Sequence, residues 1–313
     1  MFEYLSRFPD WVPYEHRPWT TSRGKVYSLP INLGTISSFL GRHVTPAEAR
    51  AWVAEHAAEV KEPRNLEEKA ISLIGRPLYE AFIRGYKLKQ WQTDPRELPA
   101  EIITRLPVRF TFDNRYFNDA WQFMPKSGYT PLFEKMVSSG NIRVHYGVDW
   151  LKIRRDTPGI PVVYTGPVDE YFGYKLGRLG WRTLDFQLET YPGDYQGCTV
   201  MNYADEDVPW TRITEFKHIH PERSYGPETV ISREFSRAAG AKDEPYYPIN
   251  TPADKKLYEE YRQLAAGESN VIFVGRLATY RYLDMHQAIA AALKVFDVAV
   301  KPRLLSTVLA APR

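Results

Sequence analysis

Apolar positions along the chain repeat with two different periods, and each change of period marks a different kind of segment. Short runs rich in β-branched and aromatic residues predict strands, because alternate side chains of a strand face the same side of a sheet. These runs are 26–29, 107–112, 144–150, 161–165, 182–189, 199–203, 210–219, 229–235 and 271–274. Apolar residues three and four apart predict helices over 46–61, 66–74, 77–86, 129–137, 169–173, 250–264 and onward from Asp284, with a short helix near Pro99.

Polar residues mark where the helices begin. Thr45 with Glu48, and Asn65 with Glu68, have the spacing of capping boxes. The helices within 32–106 follow one another closely, so this segment predicts a small helical bundle. The runs within 180–250 favour an antiparallel sheet. The chain therefore predicts a mixed α/β fold.

The division into domains follows from these patterns. We expect a substrate-side sheet from 1–31, 107–124 and 180–250, beside the helical bundle of 32–106. We expect an α/β part from 125–179 and 251–300, followed by a loose tail over 301–313.

The stretch Asn270–Ala292 combines a strand, a glycine turn and a helix. Gly275 ends the apolar run, and Arg276 and Tyr280 lie on the connection to the helix that starts near Asp284. A helix N-terminus has free N–H groups and a partial positive charge, so it favours an anion. This connection is a candidate cofactor or phosphate site, although an ordinary strand-to-helix connection with surface arginines explains the same pattern.

Composition and charge exclude several classes of protein. The 41 lysines and arginines nearly balance the 38 acidic residues, for a net charge of +3, which argues against a nucleic-acid binder. The single cysteine, Cys198, excludes an internal disulfide and a multi-cysteine metal site, and it fits a reducing cytoplasm. No run approaches the ~18 apolar residues of a membrane span. The 21 Tyr, 15 Phe and 8 Trp leave aromatic residues for a stacking pocket.

Three clusters of residues are candidates for chemistry. Phe82 and Tyr86 are four apart on one helical face and precede Trp91, which suits stacking of a planar base. A bundle core explains that spacing equally well. The second cluster suits a pyrophosphate, because a guanidinium forms bidentate hydrogen bonds, although each arginine alone is typical of a surface. It comprises Arg105, Arg109, Arg182 and Arg212, with Tyr116.

The third cluster joins the tyrosines of 243–248 to Tyr282 and Asp284. Tyrosine hydroxyls bond phosphate without adding charge, but a proline-rich connector also explains 243–248. His218 and His220 are predicted to alternate on a strand and to share a face. No third ligand stands at a recognisable spacing, so we expect no metal site.

The chain resembles the UDP-galactopyranose mutase family over roughly residues 4–296. The resemblance rests on six segments: LPIN (29–32), GYKLKQW (85–91), ELPAEIITRLPVRFTFDN (97–114), VVYTGPVDEYF (162–172), DEPYYPIN (243–250) and VGRLATYRYLDMHQAIA (274–290). It implies a cytoplasmic flavoenzyme of cell wall or surface polysaccharide biosynthesis. This isomerase interconverts UDP-galactopyranose and UDP-galactofuranose through a reduced-flavin N5–sugar adduct, with no net redox change.

The same resemblance implies an incomplete FAD-binding Rossmann-like domain with an inserted helical bundle and an antiparallel sheet domain. The expected partners are UDP-galactose in both ring forms and a flavin reductant, and a homo-oligomer is compatible with the family. Neither nucleic acid nor a membrane span is expected.

The resemblance also assigns residues. Arg105 and Arg212 match the two pyrophosphate arginines and are the expected catalytic residues, because preorganised cations stabilise the charge of departing UDP. Residues 92–104 match the mobile loop that closes over substrate. The expected substrate-binding residues are Asn32, Phe82, Tyr86, Trp91, Tyr116, Arg182, Asn202, Tyr247 and Tyr282. The expected FAD-binding residues are Gly166, Arg276, Asp284, Met285 and Gln287.

The chain departs from the family at one point. The family begins with a strand, a GxGxxG turn and a helix that hold the FAD pyrophosphate, and this sequence contains no GxGxxG. We expect a βαβ segment of ~30 residues or more to be missing, which would expose apolar strand residues such as Val163 and Ile272. A truncated form of an active family member is the preferred interpretation, because the substrate arginines and tyrosines remain. The alternative is a flavin-free UDP-sugar-binding protein without mutase activity.

Overall fold

The computed structural model describes residues 1–8, 10–57, 60–103, 108–156 and 159–303. Its architecture is mixed α/β, as the sequence predicts. The chain forms two compact units: unit 1 comprises 1–10, 127–181 and 245–313, and unit 2 comprises 11–126 and 182–244. No helix among the described residues combines the length and the apolar character needed to cross a membrane.

The strands and helices have the following bounds. The strands are β1 Trp11–Pro13, β2 Trp19–Ser22, β3 Lys25–Ser28, β4 Phe123–Pro125, β5 Val162–Tyr164, β6 Trp181–Pro192, β7 Val200–Tyr203, β8 Arg212–Glu215, β9 Glu228–Ala238, β10 Tyr247–Pro248 and β11 Val271–Phe273. The α-helices are α1 Phe2–Leu5, α2 Leu33–Leu40, α3 Pro46–Ala57, α4 Leu66–Ile74, α5 Arg76–Tyr79, α6 Gly85–Trp91, α7 Tyr129–Met136, α8 Trp150–Ile153, α9 Val168–Tyr171, α10 Pro252–Ala266, α11 Gly275–Ala278 and α12 Met285–Val295. The shorter helical turns are π turns at Glu80–Arg84 and Phe296–Val300 and 3₁₀ turns at Ala100–Ile102, Arg154–Asp156 and Phe216–Ile219.

In unit 2, six strands are neighbours in the order β6-β9-β8-β7-β2-β3. Their pairs are antiparallel except for β2 with β7, which is parallel. The sheet is therefore mixed at one position, where the sequence predicts an antiparallel sheet. The alternation of buried and exposed residues along β9 places Ile231 fully in the core.

The helices of unit 2 pack around buried aliphatic residues, including Ile36, Leu66, Ile71 and Leu78. The predicted cap at Asn65 is present, because its side chain accepts a hydrogen bond from the backbone N–H of Glu68. The cap between Thr45 and Glu48 is also present. Local sequence signals thus set the starts of α3 and α4.

Unit 1 has a core built on aromatic side chains. Tyr164 and Tyr171 are buried, and Phe273 packs against both rings at 5.8 and 4.8 Å between centroids. Strand β11 pairs in parallel with β5, opposing Ile272 to Val163. Val163 is 47% exposed, as expected for a strand of such a small sheet, whereas Ile272 is half-buried.

Three predictions of local structure are wrong. Residues 108–112 form no strand. Two isolated backbone hydrogen bonds, Arg109 N–H to the Ile31 carbonyl and Leu33 N–H to the Thr111 carbonyl, join them to 31–33, and Phe112 is 64% exposed. Residues 144–149 form turns and coil, with Tyr146 exposed to solvent, because no described strand pairs with them. His218 lies in a 3₁₀ turn and His220 after it, so the two do not alternate on a strand.

Candidate functional site

Two of the expected substrate residues are direct neighbours in the sheet of unit 2. Asn202 on β7 lies opposite Arg212 on β8, and Arg212 lies opposite Glu234 on β9. Side chains at directly opposed positions share one face of a sheet. Arg212 Nε forms an ion pair with Glu234 Oε2 at 2.9 Å, and both side chains are at least partly buried. This pair orients the guanidinium.

Helix α6 packs against β9 and carries Tyr86 and Trp91. The carbonyl oxygen of Gln90 accepts hydrogen bonds from Ser236 Oγ at 2.6 Å and from Arg182 Nε at 3.1 Å. At Gly85, an added Cβ would collide with the carbonyl oxygen of Ala204, so the close approach of α6 requires glycine there. The end of α6 is therefore fixed to the sheet.

Arg182 is 2% exposed and uses its donors within the fold. Besides Gln90, it donates to Ser236 Oγ at 3.1 Å and to Gln92 Oε1 at 3.2 Å. Burial lowers the pKa of Arg182 to about 10. Its contacts are those of a positioning residue that attaches α6 to β9, and its contact with substrate stays a prediction.

The aromatic residues expected at the base-stacking position differ in environment. Phe82 is buried among Tyr27 and Phe39, with edge-on ring contacts at 4.9 and 5.8 Å. Tyr86 is half-buried. Trp91 is 4% exposed, and its Nε1 is buried with no hydrogen-bond partner among the described residues. Phe82 has the contacts of a core residue, and the stacking role of all three stays a prediction.

Asn32 is fully buried and caps helix α2. Its Oδ1 accepts from the backbone N–H groups of Gly34 and Thr35 at 2.8 and 3.1 Å, and its Nδ2 donates to Ser28 Oγ and to the Pro30 carbonyl at 2.9 and 3.0 Å. Both polar atoms are therefore engaged within the fold. A direct contact between Asn32 and substrate stays a prediction.

Tyr116 lies beside His16, a residue that sequence reasoning missed. The Tyr116 backbone N–H donates to the His16 carbonyl at 2.7 Å, and the two rings meet edge to face at 5.5 Å. Burial lowers the pKa of His16 to about 4, and the nearby charge of Arg212 adds to the effect. His16 is thus neutral at pH 7. Arg105 lies outside the described residues.

Unit 1 contains a separate group of expected site residues, which consists of Arg276, Tyr246, Tyr247 and Tyr282. The rings of Tyr247 and Tyr282 stack at 5.5 Å, and the Arg276 guanidinium lies 5.1 Å from each ring centroid. Arg276 Nη2 donates to the Tyr246 carbonyl at 2.5 Å. A cation held against two aromatic rings is stabilised by their quadrupoles. The structure therefore brings Tyr247 and Tyr282, which the sequence places in one candidate cluster, together with Arg276 of the strand-to-helix connection.

The residues expected at the cofactor belong to the same unit. Asp284 and Gln287 form a capping box at the start of α12, in which the Asp284 N–H donates to Gln287 Oε1 at 3.0 Å. Met285 is 58% exposed. At Gly166, an added Cβ would lie 2.5 Å from Tyr164 Oη, so a close approach by the tyrosine explains this glycine.

One observation supports a fit between these residues and a flavin. Arg276 Nε is buried without a hydrogen-bond partner among the described residues. A buried unsatisfied donor is costly, so an acceptor atom of a bound group accounts for it. The residues present therefore fit the ring end of a flavin, while the GxGxxG turn that holds a dinucleotide pyrophosphate does not occur in the sequence.

Two other groups in unit 2 do not point to catalysis. Asp194, Glu215 and His218 place potential metal-ligand atoms within 4.8 Å of one another. However, Lys217 forms an ion pair with Asp194, and Glu215 accepts four hydrogen bonds from the protein. Burial raises the pKa of the Cys198 thiol to about 11, which disfavours the nucleophilic thiolate. The expectation of no metal site stays a prediction.

Sequence reasoning missed His16, Lys87, Glu215 and Glu234. Each of them gains its environment from residues distant in the chain, so no local spacing distinguishes them.

Comparison with known proteins extends these observations. A family model described as UDP-galactopyranose mutase matches residues 81–282. A Klebsiella pneumoniae protein named "Probable UDP-galactopyranose mutase" is 48% identical over 298 residues, covering 95% of this chain and 77% of that protein. The dTDP-fucopyranose mutase of Escherichia coli is 38% identical over 311 residues, covering 96% of this chain and 81% of that protein.

The fold is also similar to that of solved structures. A crystal structure of reduced UDP-galactopyranose mutase superposes with a TM-score of 0.63 at 13% identity, covering 90% of this chain and 77% of that one. A putative protoporphyrinogen oxidase from Exiguobacterium superposes with a TM-score of 0.56 at 12% identity, covering 95% and 83%. The family model and the sequence relatives confirm the family resemblance that the six sequence segments indicate. Membership of this family implies a cofactor of the flavin class. The chain belongs to the UDP-galactopyranose mutase family.

Proposed function

We propose that this protein is a flavin-dependent isomerase that interconverts UDP-galactopyranose and UDP-galactofuranose. The observation that carries the proposal is the row of Asn202, Arg212 and Glu234 on one face of the sheet, with α6 fixed to β9 beside it. An oriented guanidinium suits the diphosphate of a nucleotide sugar, because it offers paired N–H donors in a fixed plane.

The role of Arg212 follows from the charge that the reaction develops. When the anomeric carbon separates from UDP, negative charge grows on the diphosphate, and a cation already held in place stabilises it without reorganisation. The ion pair with Glu234 holds that cation. We assign Arg105 the same task, by its place in the family pattern. Both arginines would act again when UDP returns.

The other expected substrate residues would bind and orient the substrate. Tyr116, held by the His16 carbonyl, would present its hydroxyl to a phosphate oxygen. By their place in the family pattern, we assign the hydroxyls of Tyr247 and Tyr282 the same task. Tyr86 and Trp91 would contact the uracil ring, and the half-buried position of Tyr86 is compatible with stacking.

For the cofactor we propose FAD in its reduced form. Gly166, Arg276, Asp284, Met285 and Gln287 would hold its ring end, and the start of α12 would favour the anionic reduced ring. When bound, reduced FAD supplies the electron pair that attacks the anomeric carbon, and no net oxidation occurs. A flavin reductant is therefore the required partner. The single cysteine fits the reducing cytoplasm as the compartment.

The proposal is tested by incubating dithionite-reduced protein, supplied with FAD, with UDP-galactofuranose and separating the nucleotide sugars. We expect conversion to UDP-galactopyranose in the reduced sample and none in the oxidised control. The Escherichia coli relative is named for a dTDP-linked fucose, so dTDP-fucofuranose is assayed in parallel. Conversion of the dTDP sugar alone would overturn the choice of substrate, and conversion of neither would overturn the proposed activity.

The flavin-free alternative makes a different prediction. A UDP-sugar-binding protein without cofactor would show no flavin absorbance after incubation with FAD and gel filtration. We expect instead a yellow protein with absorbance bands near those of bound flavin. A colourless protein that still binds UDP would favour the alternative.

A further inference from the structure

Lys87 is a partly buried lysine on α6, directly after Tyr86. Its Nζ donates to Gln90 Oε1 at 2.8 Å and lies 5.8 Å from the centroid of the Tyr86 ring. Within the described part of the chain, no carboxylate forms an ion pair with Lys87. A buried ammonium ordinarily has a carboxylate partner, so Lys87 is an exception that requires an explanation.

The neighbour that matters is Arg212. Burial lowers the pKa of Lys87 to about 8, and the positive charge of Arg212 lowers it further in the same direction. The packing of α6 against β9 explains this proximity, because β9 carries Glu234 and β8 carries its partner Arg212. Arg212 therefore lies on the side of the sheet that α6 covers, since Glu234 opposite it shares a face with Ser236, which bonds Gln90 of α6. Glu234 is bonded to Arg212 and not to Lys87.

Lys89, two residues farther along α6, is a lysine whose hydrogen bonds indicate a structural role, and it serves as a comparison for Lys87. Burial lowers the pKa of Lys89 to about 8 as well. Its Nζ, however, donates to the carbonyl oxygens of Tyr203, Asp205 and Trp210 at 2.8, 2.7 and 3.1 Å. All three ammonium donors of Lys89 are thus engaged, whereas Lys87 has a single neutral side-chain acceptor.

We infer that Lys87 is a further cation for the diphosphate of the nucleotide sugar, and that its ammonium leaves Gln90 for a phosphate oxygen when the ligand binds. This inference rests on the proposed function of the site. The like charges of Lys87 and Arg212 repel each other in the free protein. A diphosphate removes that repulsion, so part of the binding free energy comes from relief of an unfavourable arrangement.

The protonation of Lys87 must then be linked to binding. The charged or titratable groups beside α6 include Arg182 on β6, Arg212 on β8 and Glu234 on β9, and Tyr86 and Lys89 lie on α6 itself. His16 is influenced by the charge of Arg212. A bound diphosphate adds negative charge and favours the charged form of the lysine. Binding of the ligand should therefore raise the pKa of Lys87. At a pH near or above 8, Lys87 should then take up a proton from solution when the ligand binds.

Calorimetric titration with UDP at pH 8.5, in two buffers of different ionisation enthalpy, measures that proton. UDP itself is fully ionised there, because its last phosphate pKa is about 6. For the FAD-loaded wild-type protein, a free-state pKa near 8 leaves about three quarters of Lys87 uncharged at pH 8.5, so we expect uptake of roughly 0.5 to 0.8 proton per UDP bound.

Two substitutions separate charge from proton uptake. Lys87→Met should raise the Kd for UDP roughly tenfold at pH 7 and abolish the uptake at pH 8.5. Lys87→Arg keeps the charge at every pH, so it should retain most of the affinity but show no uptake. Lys25→Met, which removes an exposed lysine from β3, is the matched control and should match the wild type in both measurements.

A third readout distinguishes this role from a structural one. Without UDP, Lys87→Met should raise the thermal midpoint of unfolding at pH 7 by a few degrees, because it removes a buried charge that lacks a carboxylate. Wild-type affinity in Lys87→Met, or persistent proton uptake in either variant, would overturn the inference while leaving the function intact. If the wild type itself fails to bind UDP, the proposed function and the inference fall together.

Discussion

Glu215 provides a test of how unit 2 keeps its substrate-side strands in place. Its side chain is fully buried, and its two oxygens accept hydrogen bonds from the backbone N–H groups of Tyr195, Gln196 and Gly197 and from Thr229 Oγ1, at 2.8–3.2 Å. The three N–H groups belong to the loop between β6 and β7, and β7 carries Asn202. Replacing Glu215 with glutamine keeps the shape but places an NH₂ group where an acceptor was.

The magnitude follows from the geometry of the donors. In its better orientation the new amide keeps its oxygen toward the N–H groups of Gln196 and Gly197. Its NH₂ group then faces Thr229, whose hydroxyl can rotate to accept a hydrogen bond, and the N–H of Tyr195, which cannot. One buried unsatisfied N–H costs about 1–3 kcal/mol. The remaining bonds lose their charge assistance, about 1 kcal/mol in total. We expect Glu215→Gln to lower the free energy of unfolding by about 2–4 kcal/mol at pH 7.

The effect should depend on pH with a definite sign. Burial alone raises the pKa of Glu215, but the hydrogen bonds from Tyr195 and Gln196 outweigh it and hold the pKa below its usual value. A depressed pKa in the folded state gives stability that is present above the unfolded-state pKa and is lost as the pH falls through the folded-state value. The gap in stability between wild type and Glu215→Gln should therefore be full at pH 7 and shrink in acid.

Urea unfolding followed by tryptophan fluorescence, at pH 7 and at steps toward pH 3, measures this gap. Glu222→Gln is the control, because among the described residues that exposed carboxylate bonds the side chain of His220 alone. Its loss should leave the free energy of unfolding close to that of the wild type. A Glu215→Gln protein within about 0.5 kcal/mol of the wild type at pH 7 would refute the reasoning, as would a gap that widens in acid.

Three further predictions concern α6 and Arg212. Gly85→Ala places a methyl group against the Ala204 carbonyl and should cost about 1–3 kcal/mol of stability and weaken UDP binding, as chemical unfolding and titration would show. Lys89→Met leaves three carbonyl oxygens without their donor and should cost about 2–4 kcal/mol in the same unfolding assay. Arg212→Ala should lower UDP-galactofuranose turnover by about 10²–10³-fold, because the departing diphosphate loses a preorganised cation.

Each of these has a matched control in the chain. Gly226→Ala meets nothing within 4 Å and should be nearly neutral. Lys25→Met and Arg262→Ala remove exposed cations and should leave stability and turnover close to those of the wild type. An Arg212→Ala protein that is folded and turns over at a near-normal rate would contradict the role assigned to this arginine.

Sequence reasoning succeeded where the physical cause is local. The cap at Asn65 forms with a residue three positions later, so its spacing alone predicts where α4 begins. The helical spacing of apolar residues after Asp284 likewise predicts α12. Strand β9 also follows from its residue types, since Thr229, Val230 and Ile231 are β-branched. Of these three elements, α12 carries the expected cofactor residues Met285 and Gln287.

Where the cause is tertiary, sequence reasoning failed. The run 107–112 has a strand-like pattern, yet its described residues find no neighbouring strand, and a strand exists only as part of a sheet. The same holds for 144–149, whose alternating apolar residues face solvent. Lys87 could not be singled out at all, because what distinguishes it is the absence of a carboxylate in a place that only the packing of α6 defines.

The π turn at Glu80–Arg84 has a consequence for how this protein tolerates length changes. The turn joins α5, which packs in the bundle, to α6, which packs on the sheet, and it holds one more residue than an α-helical turn would. Deleting one residue within the turn would leave an ordinary α-helical turn, so the later side chains of α6 would keep their direction. Deleting one residue at the start of α6, where the helix is regular, would rotate every later side chain by about 100° around the axis. Trp91 would then leave its buried position, although no residue of the binding surface had itself been changed.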